Sequence, residues 1–315
     1  MRLMKWLGGA AVGATLIFAG SSAFAVTIGF SQVGDEGDWR PAFSKDMQEE
    51  AKKEGIDLKF ADAQGKEEEQ LKAVRSFIAQ KVDAIIIAPV VVTGWGQVLE
   101  EAKKAGIPVF LADRDVDADK SLFVCRIAAD FNLEGRLAGA WAAQALAGRG
   151  NIVELVGTVG SAAAEYRRTG FNAVQALFPL IKTVKSQSGD FTTQGGKEVM
   201  ESFIKATDGL KDIKLVWAHN DNMLLGAIQA MKEAGLHPGK DILTVSVDTV
   251  PDELKAIIAG DANATVELRS DIGPDIYAVV KAYLGGKHDW PKWVVIPSAL
   301  HTIADAAEML KKKGG

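Results

Sequence analysis

Short β-branched runs alternate with stretches of helical period along almost all of the chain beyond residue 25. Val26–Gln32 predicts a strand, followed by a helix from about Pro41, at a helix N1 position, to Glu54. Asp57–Ala61 predicts the next strand. In Lys66–Gln80 the apolar residues Leu71, Val74, Phe77 and Ile78 recur at helical spacing. Val82–Ala88 is a continuous apolar run, as a strand buried on both faces requires. A helix over Trp95–Lys104 and a strand over Ile107–Ala112 complete the first series. A second series begins near Asp130 with a helix to about Ala147. It continues with strands at Asn151–Val156, Ile181–Gln187, Ile213–Ala218 and Ile242–Val247, and with helices at Ala163–Leu177, Thr192–Ala206 and Asn222–Ala234.

Three joints share one chemistry. Gly55-Ile56, Gly106-Ile107 and Gly235-Leu236 each place a glycine between a charged helix end and the next apolar segment, as helix C-caps do. Strand–helix alternation with short connections implies parallel sheets with right-handed crossovers. The fold class is therefore α/β: two doubly wound parallel-sheet lobes, changing over near Val124–Asp130. No Pro/Gly/Ser-rich linker marks that boundary, so several closely spaced crossovers are expected to join the lobes.

The first residues change the picture. Arg2 and Lys5 precede an apolar run from Leu7 to about Gly20, and the segment closes on Ala23-Phe24-Ala25. A positive start, a short apolar core and an A-x-A end describe a secretory signal peptide over residues 1–25. No cysteine stands at the expected cut, so a lipid anchor is not expected. The processed chain would begin at Val26. Later apolar runs are all broken by charge within about ten residues, so no membrane insertion is expected after cleavage.

The 315 residues are 48% hydrophobic, and the chain beyond residue 25 is long enough for two cores. A net charge of −5 with mixed signs offers no basic patch of the kind nucleic acid requires. The single Cys125 precludes an intramolecular disulfide and reads as a small buried residue.

No motif for chemistry appears. Gly157-Thr-Val-Gly160-Ser161 lacks dinucleotide-binding spacing and reads as a tight strand–helix turn with Ser161 near an N-cap. There is no phosphate-binding P-loop, no H-E-x-x-H and no G-x-S-x-G. His219, His237, His288 and His301 are scattered without metal-ligand spacing, and His219 reads as a structural hydrogen-bonding residue. No catalytic residue, metal or cofactor is expected.

Open α/β sheets bind ligands beyond the carboxyl ends of their strands. The strand exits carry a consistent set of groups: Ser31 through Arg40 after the first, then Asp113-Arg114, His219-Asn220-Asp221 and Asp248, with Phe191 after Ser188-Gly-Asp and Arg167 beyond Gly160. Planar carboxylate, guanidinium and carboxamide groups can each hold two adjacent hydroxyls, and an aromatic ring can cover a C–H face. Both charge signs suit a neutral polyol better than an ion. Singly, each residue also has a structural explanation: Trp39 as a half-buried surface anchor, Asp113-Arg114 as a turn with a solvated ion pair.

At these residues the chain resembles the ribose/galactose-type periplasmic sugar-binding proteins of ABC transporters, most of all their galactofuranose-binding subgroup. The resemblance runs through Val26-Thr-Ile-Gly-Phe-Ser-Gln-Val-Gly, Lys72-Ala-Val-Arg-Ser-Phe, Ile87-Ala-Pro-Val, Ser186-Gln-Ser-Gly-Asp-Phe-Thr, Lys197-Glu-Val-Met-Glu-Ser-Phe-Ile-Lys-Ala, Ala218-His-Asn-Asp-Asn-Met and Ile228-Gln-Ala-Met-Lys-Glu-Ala-Gly-Leu. It implies two lobes joined by a three-segment hinge, residues 26–128 with 267–294 and residues 129–266 with 295–315. It also implies a sugar site of Glu36, Gly37, Asp38, Trp39 (stacking) and Arg40, with Asp113, Arg114, Arg167, Phe191, Asn220 and Asp248. Glu267 stands nearest to a hinge glutamine of ribose-type relatives. The longer first loop, Gly34-Asp-Glu-Gly-Asp-Trp-Arg, departs from the paired aromatics of many relatives. The function implied is a monomeric periplasmic protein that takes a monosaccharide to an ABC permease in the inner membrane. A sensor that presents its closed form to a chemoreceptor or sensor kinase is the alternative.

Overall fold

The computed structural model describes residues 26–314, so the leader expected at residues 1–25 lies outside the described residues. Two six-stranded sheets organise the chain. The first comprises β1 (Thr27–Gln32), β2 (Asp57–Asp62), β3 (Ala84–Ile87), β4 (Val109–Ala112), β5 (Arg126–Ala129) and β11 (Trp293–Ile296), in the order β11-β5-β4-β3-β1-β2 and parallel throughout. The second comprises β6 (Arg149–Val156), β7 (Leu180–Ser188), β8 (Ile213–Ala218), β9 (Leu243–Asp248), β10 (Ala264–Glu267) and β12 (Leu300–Thr302), ordered β12-β10-β9-β8-β6-β7. Only the β10–β12 pair is antiparallel. In each sheet the first strand sits inside the order, which creates the crevice where doubly wound folds bind ligands.

The helices follow the expected alternation. With the first sheet go α1 (Trp39–Lys53), α2 (Glu67–Gln80), α3 (Gly96–Lys104) and α9 (Gly273–Leu284). With the second go α4 (Phe131–Ala145), α5 (Ala162–Gln175), α6 (Thr193–Ala206), α7 (Asp221–Glu233), α8 (Pro251–Ala259) and α10 (Ala306–Lys312). The chain passes between sheets three times: from β5 into α4, from β10 into α9, and from β11 into β12.

Buried apolar strands explain the layering. Ile85, Ile86 and Ile87 of β3 are all fully buried, so the unbroken apolar run marks a strand covered on both faces. Phe77 and Val74 of α2 pack with Ile85, Ile87, Trp95 and Leu111 on one side, while Phe30, Phe43 and Ile86 join the larger core on the other. Cys125 is buried there, and burial pushes its thiol up to about 11. Gly55, Gly106 and Gly235 adopt φ of +69°, +73° and +76° just beyond their helices, the conformation a C-cap glycine supplies.

Two differences concern boundaries. α1 begins at Trp39, so Pro41 is its third residue, where its missing N–H still falls among the unpaired donors of the first turn. Residues 126–129, expected as the zone of changeover, form a complete strand of the first sheet.

Candidate functional site

The carboxyl ends of β1 and β4 face those of β6, β8 and β9 across a small space of about 20 Å³. Glu36, Trp39, Arg40, Asp113, Arg114, Ala163, Arg167, Phe191, Asn220, Asp248 and Leu268 line it. Nine of the strand-exit residues singled out from the sequence are thereby brought together, alongside Ala163 and Leu268, which carried no polar signal.

The backbone is set for this at some cost. Asp113, Phe191 and Asp248 have φ of +64°, +60° and +123°, conformations that side-chain-bearing residues rarely adopt. Each costs ~1–3 kcal/mol, and such strain concentrates at functional sites. It aims three side chains from three strand exits into one space.

From the first sheet, Arg40 Nη1 lies 2.8 Å from Asp113 Oδ2, an ion-pair contact whose angle does not make a hydrogen bond. Arg114 donates to Glu36 through Nη2 and to the Val90 carbonyl through Nη1 at 3.2 Å. Trp39 Nε1 donates to the Leu268 carbonyl at 2.7 Å, fixing the indole as a wall, with the Arg40 guanidinium 4.7 Å from its ring.

From the second sheet, Arg167 Nε donates to Glu134 at 2.8 Å and Nη1 to the His219 carbonyl at 2.6 Å, while Nη2 stands 3.6 Å from Asp248. Gly135 makes this placement possible: a Cβ there would lie 2.1 Å from the Arg167 carbonyl, so only glycine lets α4 and α5 approach so closely. Asn220 caps α7 by accepting from the Met223 amide at 3.0 Å and donates to the Phe191 carbonyl at 3.0 Å. The Phe191 ring lies 5.4 Å from the Arg114 guanidinium and 6.0 Å from that of Arg167. His219 is fully buried behind the site, with Nε2 3.0 Å from Glu154 Oε1, in the structural role expected of it.

Electrostatically the lining is balanced: three carboxylates, Glu36, Asp113 and Asp248, face three guanidiniums, Arg40, Arg114 and Arg167. Burial raises the Asp248 carboxyl well above the usual range even with Arg167 beside it. Several buried polar atoms of these side chains make no hydrogen bond: Arg40 Nε, Arg114 Nε and Arg167 Nη2 as donors, Asp113 Oδ1 as acceptor. Unmet groups of both kinds in one water-poor space call for a partner that both donates and accepts.

Gly37 and Asp38 do not line the cavity. Gly37 turns the loop at φ +66°, and Asp38 points to the second sheet, where its amide donates to Asn222 Oδ1 and its carboxylate accepts from Asn222 Nδ2, both at 2.9 Å. Glu267 also lies outside it, its carboxylate 3.8 Å from His301 and 3.6 Å from Lys313. A wider cleft of about 430 Å³ adjoins the cavity through Trp39 and Asp248. Its charged groups are largely paired with one another, Arg269 with Asp271 and Glu267 with Lys313, so the small cavity holds the unmet chemistry. Among the described residues no group of three or more His, Cys, Asp and Glu could hold a metal, and no helix is long and apolar enough to cross a membrane.

Known proteins share this fold. The sequence profile of the periplasmic binding protein domain matches residues 28–301. The galactofuranose-binding protein of Escherichia coli is 52% identical over 290 residues, which cover 91% of each chain. The periplasmic binding component of the arabinose ABC transporter from Shewanella sp. ANA-3, solved bound to α- and β-L-arabinofuranose, is 55% identical with a TM-score of 0.89, over 91% of this chain and 95% of that one. A Mycobacterium smegmatis protein solved with β-D-fucofuranose is 44% identical with a TM-score of 0.88, over 92% and 95%. With a profile spanning both sheets and such identity along nearly the whole described chain, this protein belongs to the periplasmic binding protein family, among the sugar-binding components of ABC transporters.

Proposed function

We propose that this protein binds one monosaccharide in its furanose form in the cavity between the sheets and passes it unaltered to an ABC permease. The observation that carries the proposal is the balanced ring of three carboxylates and three guanidiniums with unmet donors and an unmet acceptor, walled by Trp39 and Phe191. Sugar hydroxyls match both kinds of unmet group, whereas a charged ligand would leave one sign opposed. The furanose form is supported by the relatives: one is named for galactofuranose, and two were solved with arabinofuranose and fucofuranose.

The protein would act in the periplasm as a monomer. Residues 26–128 with 267–294 would move as one lobe against residues 129–266 with 295–315, about the three crossings. Binding without chemistry is the preferred role, supported by relatives that are named as binding proteins and a transporter's binding component. Import is favoured over sensing because the Shewanella relative, at 55% identity, is described as a transporter component.

Calorimetric titration against galactofuranose, galactopyranose, arabinose and ribose tests this. The furanose-forming sugars should bind, and Asp113→Ala and Arg167→Ala should each weaken binding by ~1–3 kcal/mol, since each strands a partner in a desolvated site. Tight binding of an amino acid or purine with none of any sugar would refute it.

A further inference from the structure

Glu134 is fully buried in the first turn of α4, directly after the chain leaves the first sheet, and it does not line the cavity. Its Oε2 accepts from Arg167 Nε at 2.8 Å, and its Oε1 accepts from Ser298 Oγ at 3.3 Å. Ser298 lies between β11 and β12, where the chain crosses from the first sheet to the second. One carboxylate thus touches a cavity-lining arginine with one oxygen and a crossing segment with the other.

The grip on Arg167 is specific. Glu134 takes the Nε edge and the His219 carbonyl takes Nη1, which leaves Nη2 as the unpaired donor at the cavity. Removing the carboxylate would free the guanidinium to tighten its 3.6 Å ion-pair contact with Asp248 into a hydrogen bond, which would spend Nη2 internally.

We propose that Glu134 is the positioning residue of the site, holding the Arg167 guanidinium so that Nη2 meets the sugar and tying that orientation to the crossing at Ser298. This rests on Arg167 being a sugar ligand, as proposed above. Burial pushes the Glu134 carboxyl up to about 7 although Arg167 opposes the shift. The charged groups facing it are Arg167 from α5, Asp113 from the exit of β4 and Asp248 from the exit of β9. On its own helix, Asp130 and Arg136 pair with each other at 3.6 Å. Ionised Glu134 grips Arg167, and protonation loosens the grip, so affinity should fall as pH falls through about 7.

The test is calorimetric titration with L-arabinose and D-galactose between pH 5.5 and 8.5, on wild type, Glu134→Gln, Glu134→Asp and Arg167→Ala, with melting curves of the sugar-free proteins. Wild type should lose affinity about tenfold toward acid, the difference between a charge-assisted and a neutral hydrogen bond. Glu134→Gln should bind about tenfold more weakly at pH 8.5 and lose most of the pH dependence. Glu134→Asp, which keeps the charge but draws it back, should be weaker yet still titrate. Wild-type affinity and pH profile in both Glu134 variants, with Arg167→Ala impaired, overturns this inference alone. Unimpaired binding by Arg167→Ala overturns the site itself. Weakening that merely tracks a lower melting temperature, with the pH profile intact, reduces Glu134 to packing and also overturns the proposal. Should Glu134→Gln fail to fold, the affinity of Glu134→Asp decides, and a wild-type value counts against it.

Discussion

Asn222→Ala should accelerate release of the sugar without touching the cavity. Asn222 sits at the start of α7, buried, and makes two hydrogen bonds to Asp38 on the opposite side: it accepts from the Asp38 amide and donates to its carboxylate, each at 2.9 Å. Its amide also reaches Thr193 Oγ1 at 3.2 Å on its own side. If the lobes part on opening, the two bonds to Asp38 exist only in the closed form, and water replaces them in the open one. Each such bond contributes ~0.5–1.5 kcal/mol net, with the carboxylate bond toward or above the upper end. Partial exposure keeps the pair at ~1–2 kcal/mol, or about a 5- to 30-fold shift against closure. The sugar meets the open form first, so the change should fall on dissociation. Stopped-flow tryptophan fluorescence should show koff raised about 5- to 30-fold and kon within about twofold. Asp38→Ala removes only the carboxylate bond and should give a smaller rise, and the double variant should match Asn222→Ala alone. An unchanged koff, or a loss carried by kon, would refute a latch at this contact.

Two further substitutions separate site geometry from scaffold. In Gly157→Ala the new methyl would stand 1.9 Å from Phe191 Cζ, so the ring between Arg114 and Arg167 must shift; sugar affinity should drop about tenfold and stability by ~1–3 kcal/mol, and unchanged titration would show that Phe191 is not part of the site. Glu154 is pushed up by burial but pulled to about 2 by His219, Ser186 and Arg168, below its ordinary 4.5. With the folded value depressed, its contribution is present above about 4.5 and is lost as pH falls toward 2, so Glu154→Gln should flatten that acid limb of stability, measured by denaturant melts.

How much of this was legible in the sequence depends on range. Val82–Ala88 and the glycines at 55, 106 and 235 announce strands and helix ends through local chemistry, and β3 and the C-caps appear where expected. The cavity-lining charges were legible because they follow strands, and parallel topology brings strand ends together. Asp38 stands in the same loop as Glu36 and Arg40, but its direction is decided by Gly37 and by a partner 184 residues away. Leu268 and Ala163 are apolar and carry no mark of a site. Glu134 reads as an ordinary first-turn acid, favourable to the helix dipole. Its burial arises from α4 and α5 meeting at Gly135 and Gly170, a contact between segments that no single window of sequence contains.

The strained backbone and the balanced charge at the cavity have one physical origin. Strand exits give positions but not directions, and regular φ values would send successive side chains to opposite faces. Turning Asp113, Phe191 and Asp248 into positive φ accompanies their bringing two carboxyl groups and a ring into one space. The carboxylates are tolerable there only because Arg40 and Arg167 arrive from helices, and the guanidiniums are tolerable only because Glu36, Glu134 and Asp248 meet them. Each charge is stabilised chiefly by its neighbours, so the net field at the centre is small while the hydrogen-bonding capacity is large. Such an environment rejects an ion, which must oppose one half of the ring, and rewards a neutral ligand dense in hydroxyls. Replacing one member should therefore injure the site twice, by losing a sugar contact and by leaving its former partner as an unpaired buried charge.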